Sequence, residues 1–243
     1  MKLLYILPGN IKLGLGEAEM HRRCEVLRQH AFPGTEVEIT YAESGPPSIE
    51  SIYEKYVAST GVIEKVMQAE KDGYDGVIVG CFGDPGLEGA REVATIPVVG
   101  PGESSMHLAA MLGYRFSIII PTASLAASTI SQVRNSRMLE SFASARASNV
   151  SVLDINRDPR AAEKKAIEAG RLAVEADGAD CLLLGCMSLA FAGVDKPLAK
   201  ALGIPVINPA TASLKVLESM VAMGVSHSKL AYGFPPKMVR HQG

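Results

Sequence analysis

Residues 75–113 read DGVIVGCFGDPGLEGAREVATIPVVGPGESSMHLAAMLG, and residues 180–224 read DCLLLGCMSLAFAGVDKPLAKALGIPVINPATASLKVLESMVAMG. Both segments begin with Asp and an apolar run of strand length, and a Gly-Cys pair follows that run. Each continues through a helical stretch, an Ile-Pro-Val strand, a turn that contains Pro, and a second helical stretch. The repeat predicts two similar α/β halves related by a pseudo-two-fold axis.

Apolar runs elsewhere extend this pattern to the whole chain. Several runs are continuous rather than alternating, which is typical of parallel strands covered on both faces. We predict strands at 2–7, 36–40, 76–80, 96–100, 116–120, 150–155, 181–185 and 204–208. We predict helices near 17–31, 50–73, 86–94, 103–113, 125–144, 160–177, 195–203 and 210–223. The alternation of strands with helices favours a parallel α/β fold.

The two halves are expected to close on one active site in the cleft between them. We expect residues 1–98 and 208–243 to form the first lobe, which carries Cys81. Residues 99–207 then form the second lobe, which carries Cys186. In open parallel sheets, ligands bind beyond the carboxyl ends of the strands, and both Gly-Cys pairs are predicted to lie there.

Composition and charge restrict the classes of function. The chain has 243 residues, with 24 Lys and Arg against 26 Asp and Glu and no block of like charge. This balance speaks against a nucleic-acid groove and a polybasic membrane anchor. The run at 2–7 is too short for a signal sequence, and no run approaches the roughly 18 residues of a membrane helix. We expect a cytoplasmic protein with a small-molecule ligand. The tail, 234–243, is expected to be an exposed end or a strand that contacts a partner.

The chain contains four cysteines, Cys24, Cys81, Cys181 and Cys186, which allow two disulfides, one metal site or reactive thiols. A cytosolic setting keeps thiols reduced and so disfavours disulfides. Cys181 and Cys186 are five positions apart on a predicted strand, so their side chains point to opposite faces, and we predict no metal site. Cys24 and Cys181 fit buried structural positions. A single cysteine after an apolar strand is more often a small buried hydrophobe, but repetition at matching positions favours a function for Cys81 and Cys186.

Two thiols that face each other across a cleft suit one reaction. One thiolate removes a proton from carbon, and the opposite thiol delivers a proton to the other face. The stereocentre is inverted, and no cofactor is needed. The glycine before each cysteine is expected to permit a sharp exit from the strand, and the following helix would aim N–H groups at the site.

Residues near the first thiol and in the next helix are further candidates. Phe82 and Gly83 follow the thiol directly and offer backbone N–H groups to a substrate. Asp84 either binds a polar edge of the substrate or caps a helix that starts at Pro85, and we favour the cap. Glu103 and His107 are four apart on one helix, which invites a triad interpretation. Glu103 in the first helical turn is instead expected to complement the helix dipole, and His107 to be a packed or capping residue. The remaining histidines are expected at the surface: His21, His30, His227 and His241.

The motifs in residues 81–119 resemble those of hydantoin racemases in the aspartate/glutamate racemase superfamily. The shared features are a Cys-Phe-x-Asp-x-Gly-Leu stretch, then Pro-Val-x-Gly, then Gly-Glu-x-x-Met-His. DCLLLGC (180–186) resembles the second-cysteine motif, and GPPSIES (45–51) resembles a further stretch of the family. The resemblance implies two flavodoxin-like (Rossmann-like) subdomains, a cofactor-independent two-base mechanism, and a homo-oligomer, either a tetramer or a hexamer.

Three positions depart from the family pattern. The first strand runs into Leu7-Pro8-Gly9-Asn10, where the family has Asn-Pro-Asn. The strand at 116–120 is followed by Pro121-Thr122, where the family has Thr-Thr. The second cysteine precedes Met187-Ser188-Leu189, where the family has Ala-Gly-Met. The groups that frame the substrate are thus less well matched than the cysteines. The substrate-binding residues predicted from these motifs are Pro8, Asn10, Phe82, Gly83, Asp84, Pro121, Thr122 and Met187.

We therefore predict a cofactor-independent racemase that acts next to a carbonyl of a cyclic ureide, either a 5-substituted hydantoin or allantoin. Cys81 and Cys186 would be its acid and base. Other reactions of the superfamily stay open: a maleate-type cis–trans isomerase, an amino-acid racemase or a decarboxylase. A diacid substrate would call for Arg or Lys in the cleft, and none lies beside either cysteine motif. From a different class, a non-catalytic two-lobed small-molecule binding protein is also possible.

Overall fold

The computed structural model describes residues 1–10 and 13–238, which form two parallel sheets of four strands each. The first sheet has the order β2-β1-β3-β4 and consists of β1 (Lys2–Leu7), β2 (Glu36–Tyr41), β3 (Gly76–Val79) and β4 (Val98–Val99). The second sheet has the order β6-β5-β7-β8 and consists of β5 (Phe116–Ile120), β6 (Phe142–Ala147), β7 (Cys181–Leu184) and β8 (Val206–Ile207). Every pair of neighbouring strands is parallel. Both orders begin as flavodoxin-like sheets do, which confirms the predicted fold class.

Ten α-helices lie in the part of the chain that is described, and they connect the strands. They are α1 (Gly16–His30), α2 (Ile52–Lys71), α3 (Leu87–Val93), α4 (Pro101–Leu112), α5 (Ala126–Asn135), α6 (Val152–Arg157), α7 (Pro159–Glu175), α8 (Met187–Phe191), α9 (Asp195–Leu202) and α10 (Pro209–Ala222). A short 3₁₀ helix, Ala123–Leu125, precedes α5. None of the helices in the described residues is long and apolar enough to span a membrane.

The helix α7 follows directly from its local sequence. On α7 the side chains of Ala162, Ala166, Ala169 and Ala173 recur every three or four residues and are buried, as one face of an amphipathic helix should be. Its first turn is closed by Asp158, whose carboxylate accepts the N–H of Ala161 at 3.0 Å. These small side chains let the helix pack closely on the second sheet.

Two secondary-structure predictions on the second sheet are wrong. The predicted strand at 150–155 is the helix α6, because Ser151 caps it by accepting the N–H of Asp154 at 3.2 Å. The strand itself is β6, which lies partly inside the predicted helix at 125–144. β6 is an edge strand of Phe, Ala, Ser and Arg with half-buried side chains, so it lacks the apolar run that marks the inner strands.

Two helices join the sheets to each other. α4 follows the first sheet in sequence but packs on β5, β7 and β8 of the second. α10 follows the second sheet but packs on β3 and β4 of the first, and α4 and α10 also contact each other. This exchange is compatible with lobes of 1–98 plus 208–243 and of 99–207, and those boundaries stay a prediction.

The segment after α10 returns to the edge of the first sheet. Nε2 of His227 lies 3.0 Å from the backbone nitrogen of Val98, whose N–H it accepts. The prediction that His227 is a surface residue is wrong, because this contact leaves it half-buried. Residues 234–238 form no strand, while 239–243, which include His241, lie outside the described residues.

Candidate active site

Both Gly-Cys pairs lie at the carboxyl ends of their strands, β3 and β7, and the two thiols line one cleft. Cys81 is half-buried, and the Cys186 residue is 7% exposed. The cleft has a volume of about 120 Å³, and most of its wall is apolar. Its aliphatic wall consists of Leu7, Leu15, Ile49, Leu125 and Val152. The sequence repeat therefore brings two thiols to one small cavity.

The glycine before each cysteine is required by lack of space. A Cβ at Gly80 would lie 2.3 Å from Cε1 of Tyr5, and one at Gly185 would lie 2.7 Å from Cγ2 of Ile118. Each glycine donates its N–H to the central strand of its own sheet, at 2.7 Å from Gly80 to Ile6 and at 2.8 Å from Gly185 to Ile119. Close approach to the central strand, rather than a sharp exit that needs special backbone angles, explains both glycines.

Burial dominates the acidity of both thiols. It raises the pKa of Cys81 to about 12, an effect that the N–H of Gly83 opposes and the charge of Cys186 reinforces. Burial also raises the pKa of Cys186, but more groups oppose it there. These groups are the backbone N–H of Leu189, the backbone N–H and hydroxyl of Ser188, and the charge of Arg23. The two thiols thus occupy equivalent positions in unlike surroundings.

Cys24 and Cys181 lie outside this cleft, as expected for structural residues. The Sγ of Cys24 is 3.5 Å from the carbonyl oxygen of Val37 and serves as its donor. Cys181 is fully buried at the start of β7, where burial, helped by the charge of Asp180, raises its pKa to about 11. All four cysteines are free thiols.

The cleft brings together some of the predicted substrate-binding residues and not others. Those that line it are Pro8, Phe82, Gly83, Pro121 and Met187. Asn10 and Thr122 do not line it: the Nδ2 of Asn10 donates to the carbonyl oxygen of Glu43 at 3.1 Å, and Oγ1 of Thr122 lies 2.8 Å from Oγ of Ser124. Their role as substrate contacts stays a prediction.

Asp84 is buried outside the cleft and caps a different helix from the one predicted. α3 begins at Leu87 rather than at Pro85, so the predicted cap on that helix is wrong. The Asp84 carboxylate instead accepts the N–H groups of Gly102 at 3.0 Å and Glu103 at 2.8 Å in the first turn of α4. The backbone of Asp84 is left-handed, with φ of 48°. Burial raises the pKa of Asp84 to about 7.

Glu103 and His107 do not form a triad with a thiol. Glu103 lies in the first turn of α4, as predicted, and its carboxylate forms an ion pair with the buried guanidinium of Arg91. His107 is exposed rather than packed. Neither side chain lines the cleft that contains the thiols. Glu103 is therefore a structural residue of the α3–α4 region.

The cleft also contains residues that the motifs did not single out. They are Arg23 from α1, Ser51, which caps α2, Lys55 from α2, Ser128 and Gln132 from α5, and Ser188 from α8, together with Pro47 and Ser48. Pro47 and Ser48 fall in the 45–51 stretch that carries the family resemblance, so a signal for them existed. Arg23 and Lys55 sit in ordinary helical patterns. Because both line the cleft, the argument against a diacid from the absence of nearby cations does not hold.

A sequence model described as "Asp/Glu/Hydantoin racemase" matches residues 16–217. The chain belongs to the Asp/Glu/Hydantoin racemase family. It is 40% identical to a hydantoin racemase of Pseudomonas sp. (strain NS671) over 239 residues, which cover 98% of this chain and 93% of the relative. It is 32% identical to a hydantoin racemase of Paenarthrobacter aurescens, with 94% of each chain covered.

Solved structures of other proteins agree with the fold of this racemase. An allantoin racemase from Klebsiella pneumoniae superposes with a TM-score of 0.89 at 31% identity and covers 100% of this chain and 97% of its own. An allantoin racemase from Pseudomonas fluorescens gives 0.90 at 30% identity, with 99% and 100% covered. Arylmalonate decarboxylase, at 15% identity and a TM-score of 0.63, shares the fold. The chain is an enzyme of the isomerase class, a racemase.

Proposed function

We propose that this enzyme racemises a cyclic ureide, either a 5-substituted hydantoin or allantoin, at the stereocentre beside a carbonyl. The observation that carries the proposal is the arrangement of Cys81 and Cys186 at equivalent strand ends around one cleft. The substrate class is supported by the hydantoin racemases and allantoin racemases to which the chain is similar. The reaction needs no cofactor, so activity should survive exhaustive dialysis against a metal chelator.

The proposed step is a proton exchange between sulfur and carbon. The thiolate of one cysteine takes the proton from the stereocentre, and the electron pair of that C–H bond moves into the carbonyl to form an enolate. The thiol of the other cysteine then gives its proton to the opposite face of the same carbon. The first sulfur ends protonated and the second ends as thiolate, so charge and protons balance.

The enolate oxygen needs hydrogen-bond donors. The backbone N–H groups of Gly83, Ser188 and Leu189, which follow the two cysteines and act on their sulfurs, are candidates. Fixed donors in a cleft that excludes water stabilise a developing oxyanion more strongly than water does. The mainly aliphatic wall suits a compact ring without a net charge, such as an uncharged ureide.

The experiment follows the stereocentre in heavy water. An enantiopure 5-substituted hydantoin and enantiopure allantoin are each incubated with enzyme in D₂O, and optical rotation and deuterium content are recorded against an enzyme-free sample. We expect rotation to decay while deuterium enters at the stereocentre. Aspartate, glutamate and maleate serve as comparison substrates, and turnover of one of these in place of both ureides would contradict the proposal.

Four single variants test the mechanism. Cys81→Ala and Cys186→Ala should each lose racemisation, because either change removes one of the two proton carriers. Cys24→Ala and Cys181→Ala are matched controls, since both thiols lie outside the cleft, and should retain it. Full racemisation in both Cys81→Ala and Cys186→Ala would overturn the two-thiol mechanism. Residual exchange of one enantiomer only, in a Ser variant, would agree with it.

We also propose a cytoplasmic location and, from the family resemblance, a homo-oligomer that is either a tetramer or a hexamer. Four neighbouring apolar side chains on α2 are between 41% and 76% exposed and offer a surface for a second copy: Ile52, Tyr53, Tyr56 and Val57. Light scattering after size-exclusion chromatography should give a multiple of the 25.7 kDa chain mass. A monomer across the micromolar range would contradict this inference.

A further inference from the structure

Arg23 is a buried cation at the edge of the thiol cleft. It lies on α1 and is 2% exposed, yet it lines the cavity that contains both cysteines. Its Nε donates to Glu19 at 2.8 Å, and its guanidinium carbon lies 4.8 Å from the centre of the Phe191 ring. A charge buried to this extent is costly unless specific contacts compensate it. The contacts made by its remaining nitrogens therefore indicate what it does.

The guanidinium is directed at residues of the helices that follow β6 and β7 in the second half of the chain. Nη2 of Arg23 donates to Oγ of Ser188 at 3.0 Å and to Oδ1 of Asn156 at 3.2 Å. The Nδ2 of Asn156 donates to the same Oγ of Ser188 at 3.1 Å. A hydroxyl oxygen has two lone pairs, and both are occupied here by donors. The hydroxyl proton of Ser188 must then be donated elsewhere.

Cys186 is the acceptor that this arrangement favours. Ser188 lies two residues after Cys186, and both its hydroxyl and its backbone N–H act on the sulfur in the direction that favours thiolate. The charge of Arg23 acts in the same direction, and the effects of this charge and of the hydroxyl are smaller than those of the backbone N–H groups of Leu189 and Ser188. Polarisation by a cation strengthens a hydroxyl as a donor, because hydrogen bonds in a chain reinforce one another.

The surroundings of Cys81 lack this arrangement. The position two residues after Cys81 is Gly83, which has no hydroxyl to donate. Its backbone N–H supports the thiolate, and the cation that acts on Cys81 is Lys55, whose influence is the weakest of those on that thiol. The sequence repeat places the two thiols alike, but the groups behind them differ.

We propose that Arg23, acting through Ser188, makes Cys186 the more acidic of the two thiols, so that Cys186 loses its proton first and serves as the base in the resting enzyme. Cys81 then starts the cycle as the acid. Arg23 is a positioning residue in this scheme. The inference rests on the proposed two-thiol reaction for its functional meaning, but the difference in acidity is measurable without turnover.

The experiment measures the alkylation of each thiol against pH. Full-length enzyme is treated with iodoacetamide at a series of pH values, and the rate at each cysteine is followed by mass spectrometry of its peptide. Since the thiolate is the nucleophile, the pH dependence reports the acidity of that thiol. In the unmodified enzyme we expect the apparent pKa of Cys186 to lie below that of Cys81.

Single and double variants test whether Arg23 acts on Cys186 through the Ser188 hydroxyl, an arrangement we call the relay, or directly through its charge. Arg23→Met and Ser188→Ala should each slow alkylation of Cys186 by roughly tenfold at pH 8, which corresponds to one pKa unit, and leave Cys81 little changed. The double variant should show no more than the larger single effect, because both changes remove one relay. Arg22→Met is the matched control: Arg22 is the adjacent cation on α1 and also bonds to Glu19, but it does not line the cleft.

The outcomes distinguish an effect of Arg23 through Ser188 from a direct effect of its charge and from no effect. Unchanged acidity of Cys186 in Ser188→Ala, with a thermal transition like that of the unmodified enzyme, would overturn the relay. If Arg23→Met does not fold, the alkylation of Cys186 is measured in Ser188→Ala and Asn156→Ala instead. Additive effects in the double variant would show that Arg23 acts directly and not through Ser188. A shift in Cys186 acidity in an enzyme that racemises no ureide would sink the proposed function and leave this inference standing.

Discussion

The carboxylate of Asp84, in the loop after β3 of the first sheet, accepts at 2.8 Å the backbone N–H of Glu103, in a helix that packs on the second sheet. Asp84 lies three residues after Cys81, whereas Glu103 lies in the first turn of α4. The amide of Gln132, on α5, donates to the same carboxylate at 3.0 Å. The loop that carries one thiol is thereby attached to the half that carries the other.

Asp84→Ala should lower the free energy of unfolding by about 1–2 kcal/mol, because it removes the acceptor that closes the first turn of α4. Asp84→Asn should lose less, since Asn tolerates the left-handed backbone and keeps one acceptor oxygen. Urea denaturation monitored by circular dichroism measures both. Asp72→Ala, at an exposed position at the end of α2, is the control. Equal stability of Asp84→Ala and the unmodified enzyme would contradict this role.

The contribution of His227 to the stability of the enzyme should fall as the pH drops from 6.5 toward 4. Burial and the neighbouring charge of Arg91 lower the pKa of His227 to about 4 from an ordinary value near 6.5. The folded state therefore favours the neutral ring, and its contribution is complete above pH 6.5 and lost on acidification. Lys229 also disfavours the charged ring, whereas Glu103 favours it.

Comparison of urea midpoints at pH 7.5 and pH 5 tests this contribution. His227→Gln keeps a donor and an acceptor for Val98 but does not titrate, so it should lose less stability between the two pH values than the unmodified enzyme. His21→Gln, at an exposed position of α1, should behave like the unmodified enzyme. The same loss in all three proteins would exclude a contribution from His227.

Tyr5→Phe should stabilise the protein by about 1 kcal/mol. The hydroxyl of Tyr5 is fully buried and has no hydrogen-bond partner among the described residues. An unsatisfied buried polar group carries a desolvation cost that its removal recovers. Tyr74→Phe is the opposite case, because the hydroxyl of Tyr74 donates to Glu38 at 2.6 Å, and should be neutral or destabilising. A destabilised Tyr5→Phe variant would reveal a partner for the hydroxyl.

Gly185→Ala should lower the free energy of unfolding by about 1–3 kcal/mol, because its new methyl group would overlap Ile118 and the carbonyl of Ile119. The strand must then move, and Cys186 moves with it, so racemisation should fall together with stability. Gly233→Ala is a suitable control, since its Cβ would meet the nearest atom at an ordinary 3.5 Å. If Gly185→Ala keeps the melting temperature and activity of the unmodified enzyme, the strand can shift to accommodate the methyl group without loss of stability.

The rate of racemisation should rise with pH through the neutral range. Burial raises the pKa of both thiols, so thiolate is the minor form there and increases about tenfold for each pH unit. The acid partner is not lost until the pH approaches the value of about 12 for Cys81. Initial rates between pH 6 and 9, with folding checked at each pH, measure the profile. A profile that falls over this range would be incompatible with a thiolate base.

Much of the architecture follows from the order of residues along the chain. The repeated strand, Gly-Cys pair and Ile-Pro-Val strand predicts two like halves, since apolar periodicity and turn residues act within a few positions of one another. The halves have the same strand order, as expected. Placement of Cys81 and Cys186 at strand ends needs only the knowledge of where each strand stops. The edge strand β6 escaped prediction because its half-buried side chains carry no apolar run.

Only the tertiary structure determines which side chains surround the two thiols and the residues next to them. Arg23 reaches Ser188 over 165 positions of sequence, and Gln132 reaches Asp84 over 48. No local pattern marks such pairs, because each residue fits an ordinary helix and becomes part of the site only when the halves pack together. The repeat makes the two cysteines equivalent along the chain. The neighbours that packing brings to the two thiols are unlike.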